Sequence, residues 1–226
     1  MTAANASRLA SLKDKHKGER CFVVGGSPSL SLLDLGKLNR EYVFTVNRGY
    51  KLREQGLLNS TYHFFADASL IHDDNIIEEI PFDFSQLLFV FSGINFPNFF
   101  PNFVYYDYTL RPRRFFQENI VDPLYASCTC MYSTLEVAKF MGFSTIVLLG
   151  VDLDFAAVPG HAYEETSGEK KRQKSESVST GSIMLADIQY AADFLQKAGV
   201  CVLNGSPYEA SLPFLPRVAF SRLFSK

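Results

Sequence analysis

The chain has no tryptophan, four cysteines, four histidines, no long apolar run and almost no net charge. Each scarcity closes off a class of function. With 22 basic residues against 24 acidic ones, a formal charge of -2, it lacks the basic surplus by which a protein gathers nucleic acid. No apolar stretch approaches the roughly 20 residues of a bilayer-spanning helix. The first 18 residues are polar and do not have the apolar core of a secretory signal. Cys21, Cys128, Cys130 and Cys201 offer one Cys-x-Cys pair and no histidines at metal-ligand spacing, a poor zinc signature. Reduced thiols in a cytoplasmic protein are the expectation.

What is abundant is apolar and aromatic. Of 226 residues 47% are hydrophobic, with 21 Phe and 11 Tyr, enough to fill the core of a single α/β domain spanning 1–226. After a helical segment at 3–17, the run Cys21-Phe22-Val23-Val24 predicts a buried strand that breaks into Gly25-Gly26-Ser27-Pro28-Ser29-Leu30. Further strands are predicted at 42–46, 62–66, 87–91, 146–149 and 200–203, with helices at 127–141 and 183–198. The strands are continuous apolar runs alternating with helices. That pattern predicts a Rossmann-like, mostly parallel sheet with helices on both faces. Residues 95–114 show no clear periodicity, and 158–182 is so polar that it reads as a mobile lid.

Ligands of such sheets gather beyond the carboxyl ends of the strands. The first loop, Gly25 to Ser29, offers close backbone approach and two hydroxyls, suited to a phosphate or ribose. A plain strand-to-helix turn capped by Ser27 or Ser29 is the alternative. Asn47 and Asp67 each follow a strand, as ligand contacts or as turn formers. Asp152-x-Asp154 has the form of an acidic pair that holds a divalent metal, or Asp152 caps the next turn. His161, with Tyr163 beside it on the predicted lid, is the histidine best placed for general-base work. Arg111-Pro112-Arg113-Arg114 suits a phosphate or carboxylate clamp, an anionic membrane surface, or a solvated turn. The Phe-rich stretch before it reads as core or as an interface between identical subunits.

These residues carry a resemblance. Gly25-Gly26-Ser27-Pro28-Ser29-Leu30 resembles the Gly-Asn-Gly-Pro-Ser-Leu segment that opens the bacterial sialyltransferases of glycosyltransferase family 42. It also resembles the related 6-hydroxymethylpterin diphosphokinase-like proteins of surface-glycan loci. The likeness continues through Val46-Asn47-Arg48, Phe65-Ala66-Asp67-Ala68-Ser69-Leu70, the helix from Thr129 and Leu149-Gly150-Val151-Asp152. It ends in Asn204-Gly205-Ser206-Pro207.

The resemblance implies a CMP site built from Gly25, Gly26, Ser27, Ser29 and Asn47, with Cys130 where a serine contacts the donor. Asp67, where the sialyltransferases have asparagine, is closer to the diphosphokinase-like branch, and Asp152 joins the nucleotide set. Tyr163 is similar to a tyrosine that stabilises the departing phosphate. The family's catalytic histidine falls on Ser182, which leaves His161 or Asp154 as base. The expected activity is transfer of an acidic sugar such as sialic acid or Kdo from a CMP donor to a surface-glycan acceptor, without cofactor. An ATP-dependent diphosphokinase with magnesium at Asp67, Asp152 and Asp154 is the alternative enzyme, and an inactive nucleotide-binding module the third reading. The expected location is the cytoplasm at the inner face of the membrane, where Arg111 to Arg114 beside the Phe-rich stretch would make peripheral membrane contact.

Overall fold

In the computed structural model, residues 2–73, 76–96, 100–153, 160–175, 178–208 and 211–224 are described. Asp154, one of the two candidate bases, lies outside them.

Seven strands form one sheet, and every pairing in it is parallel. They are β1 (Arg20–Val24), β2 (Tyr42–Val46), β3 (Ser60–Phe65), β4 (Ser85–Phe91), β5 (Phe103–Tyr106), β8 (Thr145–Leu149) and β9 (Cys201–Asn204). Two short strands, β6 (Tyr108–Thr109) and β7 (Leu124–Tyr125), pair separately. The spatial order is β5-β4-β3-β2-β1-β8-β9. The chain therefore builds outward from β1 to one edge, returns beside β1, and builds outward again. The reversal falls between β1 and β8, the kind of switch point beside which ligands of such sheets gather.

Strand side chains alternate between faces, and here both faces are covered. Cys21, Val23, Phe44, Phe64, Ile146 and Leu148 pack under the helices α1 (Ala3–Ala10), α3 (Cys130–Phe140) and α5 (Val178–Lys197). Phe22, Val24, Val43, Val147 and Leu149 face the other way, onto leucines of short 3-10 helices: Leu30, Leu35, Leu38 and Leu52. The Phe-rich region is core rather than surface. Phe65, Phe84, Phe96 and Phe103 form a cluster with Leu70 and Ile71 of α2 (Ala68–Asp73). Each such side chain removed from water contributes about 1.5–3 kcal/mol. The edge strand β5 is covered by α1, whose Asn5 exchanges two hydrogen bonds with the backbone of Tyr105 at 2.7 and 2.8 Å.

Three expectations need correction. The N-terminal helix stops at Ala10, not residue 17. The 95–114 stretch contains β5 and β6, because Phe103-Val104-Tyr105-Tyr106 is strand-forming despite its irregular flanks. The described part of 158–182 is not bare loop: α4 (Ser167–Ser175) fills its middle and α5 begins at Val178. The reason is local. Thr166 and Glu169 form a reciprocal capping box, with Thr166 N–H donating to Glu169 Oε2 at 2.8 Å and Glu169 N–H to Thr166 Oγ1 at 3.0 Å. Among the described residues no helix is long and apolar enough to cross a membrane.

Candidate active site

At the carboxyl ends of β1, β2, β3 and β8 lies a cleft of about 430 Å³. Gly25, Gly26, Ser27, Asn47, Asp67, Cys130, His161 and Tyr163 all line it. Eight of the eleven residues singled out from sequence thus converge on one space.

The glycine loop is shaped by contact. A Cβ on Gly25 would lie 2.3 Å from the Gly150 carbonyl oxygen, so only glycine lets the β1 and β8 loops touch. A Cβ on Gly26 would lie 2.7 Å from His161 Cδ2, so the imidazole rests on bare backbone there. Below this loop is a buried polar knot. Asp152 Oδ1 accepts from Ser29 Oγ at 2.9 Å and from Ser206 Oγ at 2.6 Å, while Asp152 N–H donates to Ser27 Oγ at 3.1 Å. Ser29 and Asp152 therefore do not line the cleft. They brace the loop that does. Asp152 Oδ2 has no hydrogen-bond partner among the described residues.

Asn47 Oδ1 accepts the N–H groups of Ala66 and Asp67 at 3.1 and 3.2 Å, which ties the end of β2 to the end of β3. Its Nδ2 points to Cys130 Sγ at 3.9 Å. Asp67 caps α2 by accepting from Leu70 N–H at 3.0 Å while also lining the cleft. The opposite wall is the N-terminus of α3, capped by Thr129, which accepts from Met131 N–H at 3.3 Å. The helix dipole at this end favours an anion. Burial pushes the Cys130 thiol up to about 12, so it is neutral at physiological pH.

The segment from Gly160 forms the roof. Ala162 N–H donates to Gly26 O at 2.8 Å, and Gln55 holds the Ala162 carbonyl. The rings of His161 and Tyr163 stack at 4.9 Å, nearly parallel. Glu165 accepts from His161 Nδ1 at 2.5 Å, so the imidazole's basic lone pair is on Nε2. Burial, with Glu169 beside it, holds the Tyr163 hydroxyl well above the ordinary tyrosine range, keeping it a proton donor. Beneath them Arg48, 4% exposed, binds Glu169 at 2.6 Å, Glu79 at 2.9 Å and the Glu164 carbonyl at 3.0 Å. Its guanidinium also lies over the Tyr163 ring at 5.4 Å.

Glu165, Glu169 and Arg48 were not singled out from sequence. The Thr166-x-x-Glu169 capping signature was there to be found. The long-range Arg48–Glu169 pairing had no local signal. Of the arginine cluster, Arg114 binds Asp187, whose other oxygen accepts from the cleft residue Ser127 at 2.7 Å. Ser182, where the resemblance puts a histidine, is exposed on α5. Among the described residues no group of three His, Cys, Asp or Glu is arranged to hold a metal.

The fold is one seen before. The chain is similar to a structure of the sialyltransferase CstII from Campylobacter jejuni in complex with a substrate analogue, CMP-3FNeuAc. The TM-score is 0.52 at 12% identity, over 89% of this chain and 86% of that one. A structure of the sialyltransferase CST-II in complex with CMP gives 0.51 at the same identity and coverage. MAf glycosyltransferase from Magnetospirillum magneticum AMB-1 gives 0.58 at 20% identity, over 95% of this chain, which spans 38% of that longer one. No protein-family model matches the chain, and no curated protein does. The protein has the Rossmann-like α/β fold of these glycosyltransferases.

Proposed function

We propose that this chain is a glycosyltransferase that moves an acidic sugar from a CMP donor to a glycan acceptor, with inversion at the anomeric carbon. The observation that carries this reading is the meeting of an anion-favouring floor with a proton-handling roof in one cleft. The floor is Gly25 to Ser27, Asn47 and the N-terminus of α3. The roof is His161 and Tyr163. The fold likeness to enzymes held with CMP or a CMP-sugar analogue supports the choice of nucleotide.

The acceptor hydroxyl attacks the anomeric carbon on the face opposite the phosphate, and its proton passes to His161 Nε2. Glu165, on Nδ1, fixes the tautomer and steadies the imidazolium. The bond from the anomeric carbon to the phosphate oxygen breaks, and CMP leaves with charge developing on its phosphate. Tyr163, as a protonated donor, and the positive end of the α3 dipole stabilise that charge.

Thermal shift with CMP, CDP, UDP, GDP and ATP, each with and without magnesium, tests the reading. A ligand at 100 times its dissociation constant adds about 2.7 kcal/mol of stability, so CMP should raise Tm clearly and without metal. Flat cytidine curves beside a shift with ATP and magnesium favour the diphosphokinase instead. Binding without turnover marks the inactive module.

A further inference from the structure

Asn47, directly after β2, has φ of 48°, a left-handed conformation uncommon for a residue with a side chain. Its N–H still completes the ladder by donating to Phe64 O at 2.7 Å. The left-handed turn swings its own carbonyl out of the sheet pattern, into the interior, where an unpartnered acceptor is costly.

One side chain meets it. His63 Nε2 lies 3.0 Å from Asn47 O, and His63 Nδ1 lies 2.7 Å from Thr45 Oγ1. The β2–β3 register places Thr45 beside His63, so the two side chains share a face. A carbonyl only accepts, so Nε2 carries the proton, and Nδ1 accepts from the Thr45 hydroxyl. The reversed tautomer would set a lone pair against the carbonyl. His63 and Thr45 are both 0% exposed, and the ring is packed edge-on against Phe65 and Phe84. Burial pushes its pKa down to about 3, so the imidazole is neutral. Gly49 closes the turn: a Cβ there would lie 2.8 Å from Thr45 Cβ, so the backbone after Asn47 packs directly on the threonine.

We infer that His63 is a positioning residue of the cleft, holding Asn47 through the chain Thr45 Oγ1, His63 Nδ1, His63 Nε2, Asn47 O. With the backbone of Asn47 fixed, its Oδ1 is aligned on the N–H groups of Ala66 and Asp67, and its Nδ2 is the group turned to Cys130 and the ligand. The thiol is a weak acceptor, and an oxygen of the bound nucleotide is the stronger one. The imidazole itself touches no substrate. The inference rests on the nucleotide reading of the cleft only for its effect on binding.

The test compares His63→Phe, which fills the space without a donor, with His63→Gln, whose Nε2 can replace the imidazole donor. In wild-type protein the imidazole nitrogen spectrum should show the proton on Nε2 throughout pH 5 to 8. In His63→Phe the Ala66 and Asp67 amides should exchange at least ~10-fold faster and CMP should bind ~10-fold more weakly, the scale of one buried hydrogen bond. His63→Gln should restore most of both. If His63→Phe does not fold, Thr45→Val keeps the ring but removes the hydroxyl, and should move the same amides in the same direction. A proton on Nδ1, or Ala66 and Asp67 amides unchanged in a folded variant lacking the donor, overturns the inference. Amides that loosen and recover as described, in a protein that binds no CMP, sustain the positioning role and defeat the nucleotide reading instead.

Discussion

The glycine loop and the segment from Gly160 to Glu169 meet at the Gly26 carbonyl, yet different forces hold them. The loop is locked by backbone contact, Gly25 against Gly150 and Ser27 N–H on Gly150 O at 3.0 Å, with the Asp152 knot below. The roof is locked by charge, through the Arg48 cage and the Thr166–Glu169 box. A close-packed backbone has one arrangement. An ionic cage can exchange partners, and an anionic ligand arriving beside Glu169 is a reason to do so. The floor of the cleft is therefore expected to be the rigid part and the roof the responsive part.

Breaking the cage is expected to have the largest effect. Arg48→Met leaves the buried Glu169 without its cation, while Glu79 keeps Lys51 at 2.9 Å, and should cost about 4 kcal/mol in urea unfolding, the range for one orphaned partner of a buried pair. Adding Glu169→Leu to it should recover part of that loss; no recovery would mean that the cage is not ionic in origin. Gly25→Ala probes the other wall. Its Cβ has no room beside Gly150 O, and overpacking of that kind should cost about 3 kcal/mol. A Gly25→Ala protein as stable as wild type would show that the two loops do not touch as described.

His161→Ala separates chemistry from scaffold. Turnover should fall at least ~100-fold, as for loss of a general base, with Tm and CMP affinity nearly unchanged. Glu165→Gln should lower turnover by less, since it disturbs only the orienting partner. If His161→Ala keeps its activity and Asp154→Asn loses it, the base is the carboxylate.

The smallest effect concerns the wall behind α3. Glu136 is fully buried and accepts the N–H groups of Gln117 and Tyr125 at 2.8 and 3.3 Å, yet burial pushes its pKa up to about 8. The folded state then holds a proton that the unfolded state has released, between about pH 4.5 and 8. Its contribution to stability is full below that window and is lost as pH rises through it. Wild type should lose ~2 kcal/mol relative to Glu136→Gln between pH 6 and pH 7.5. Parallel pH profiles of the two proteins would show that Glu136 titrates normally.

The backbone-locked half was the legible half. Continuous apolar runs gave away β1, β2, β3, β4, β8 and β9, and parallel topology then put Gly25 to Ser27, Asn47, Asp67 and Cys130 at one end. Ser29 and Asp152 were read to the right place but not the right depth, because sequence shows that a polar residue follows a strand and not whether another polar group has already engaged it. The charge-locked half was harder. A run such as Glu169-Lys170-Lys171 has the composition of a solvated loop, and only the Thr166-x-x-Glu169 spacing marks a helix start. That Glu169 reaches Arg48, 121 residues away, is a fact of the fold.

Amide hydrogen exchange with and without CMP tests the two-walled cleft most directly. Exchange at Gly25 to Ser27 and at Asn47 should already be slow in free protein and slow a little more with CMP. Residues 161–169 should gain the larger protection, as the roof settles on the nucleotide. Protection confined to one wall, or none on either at saturating CMP, would contradict the account.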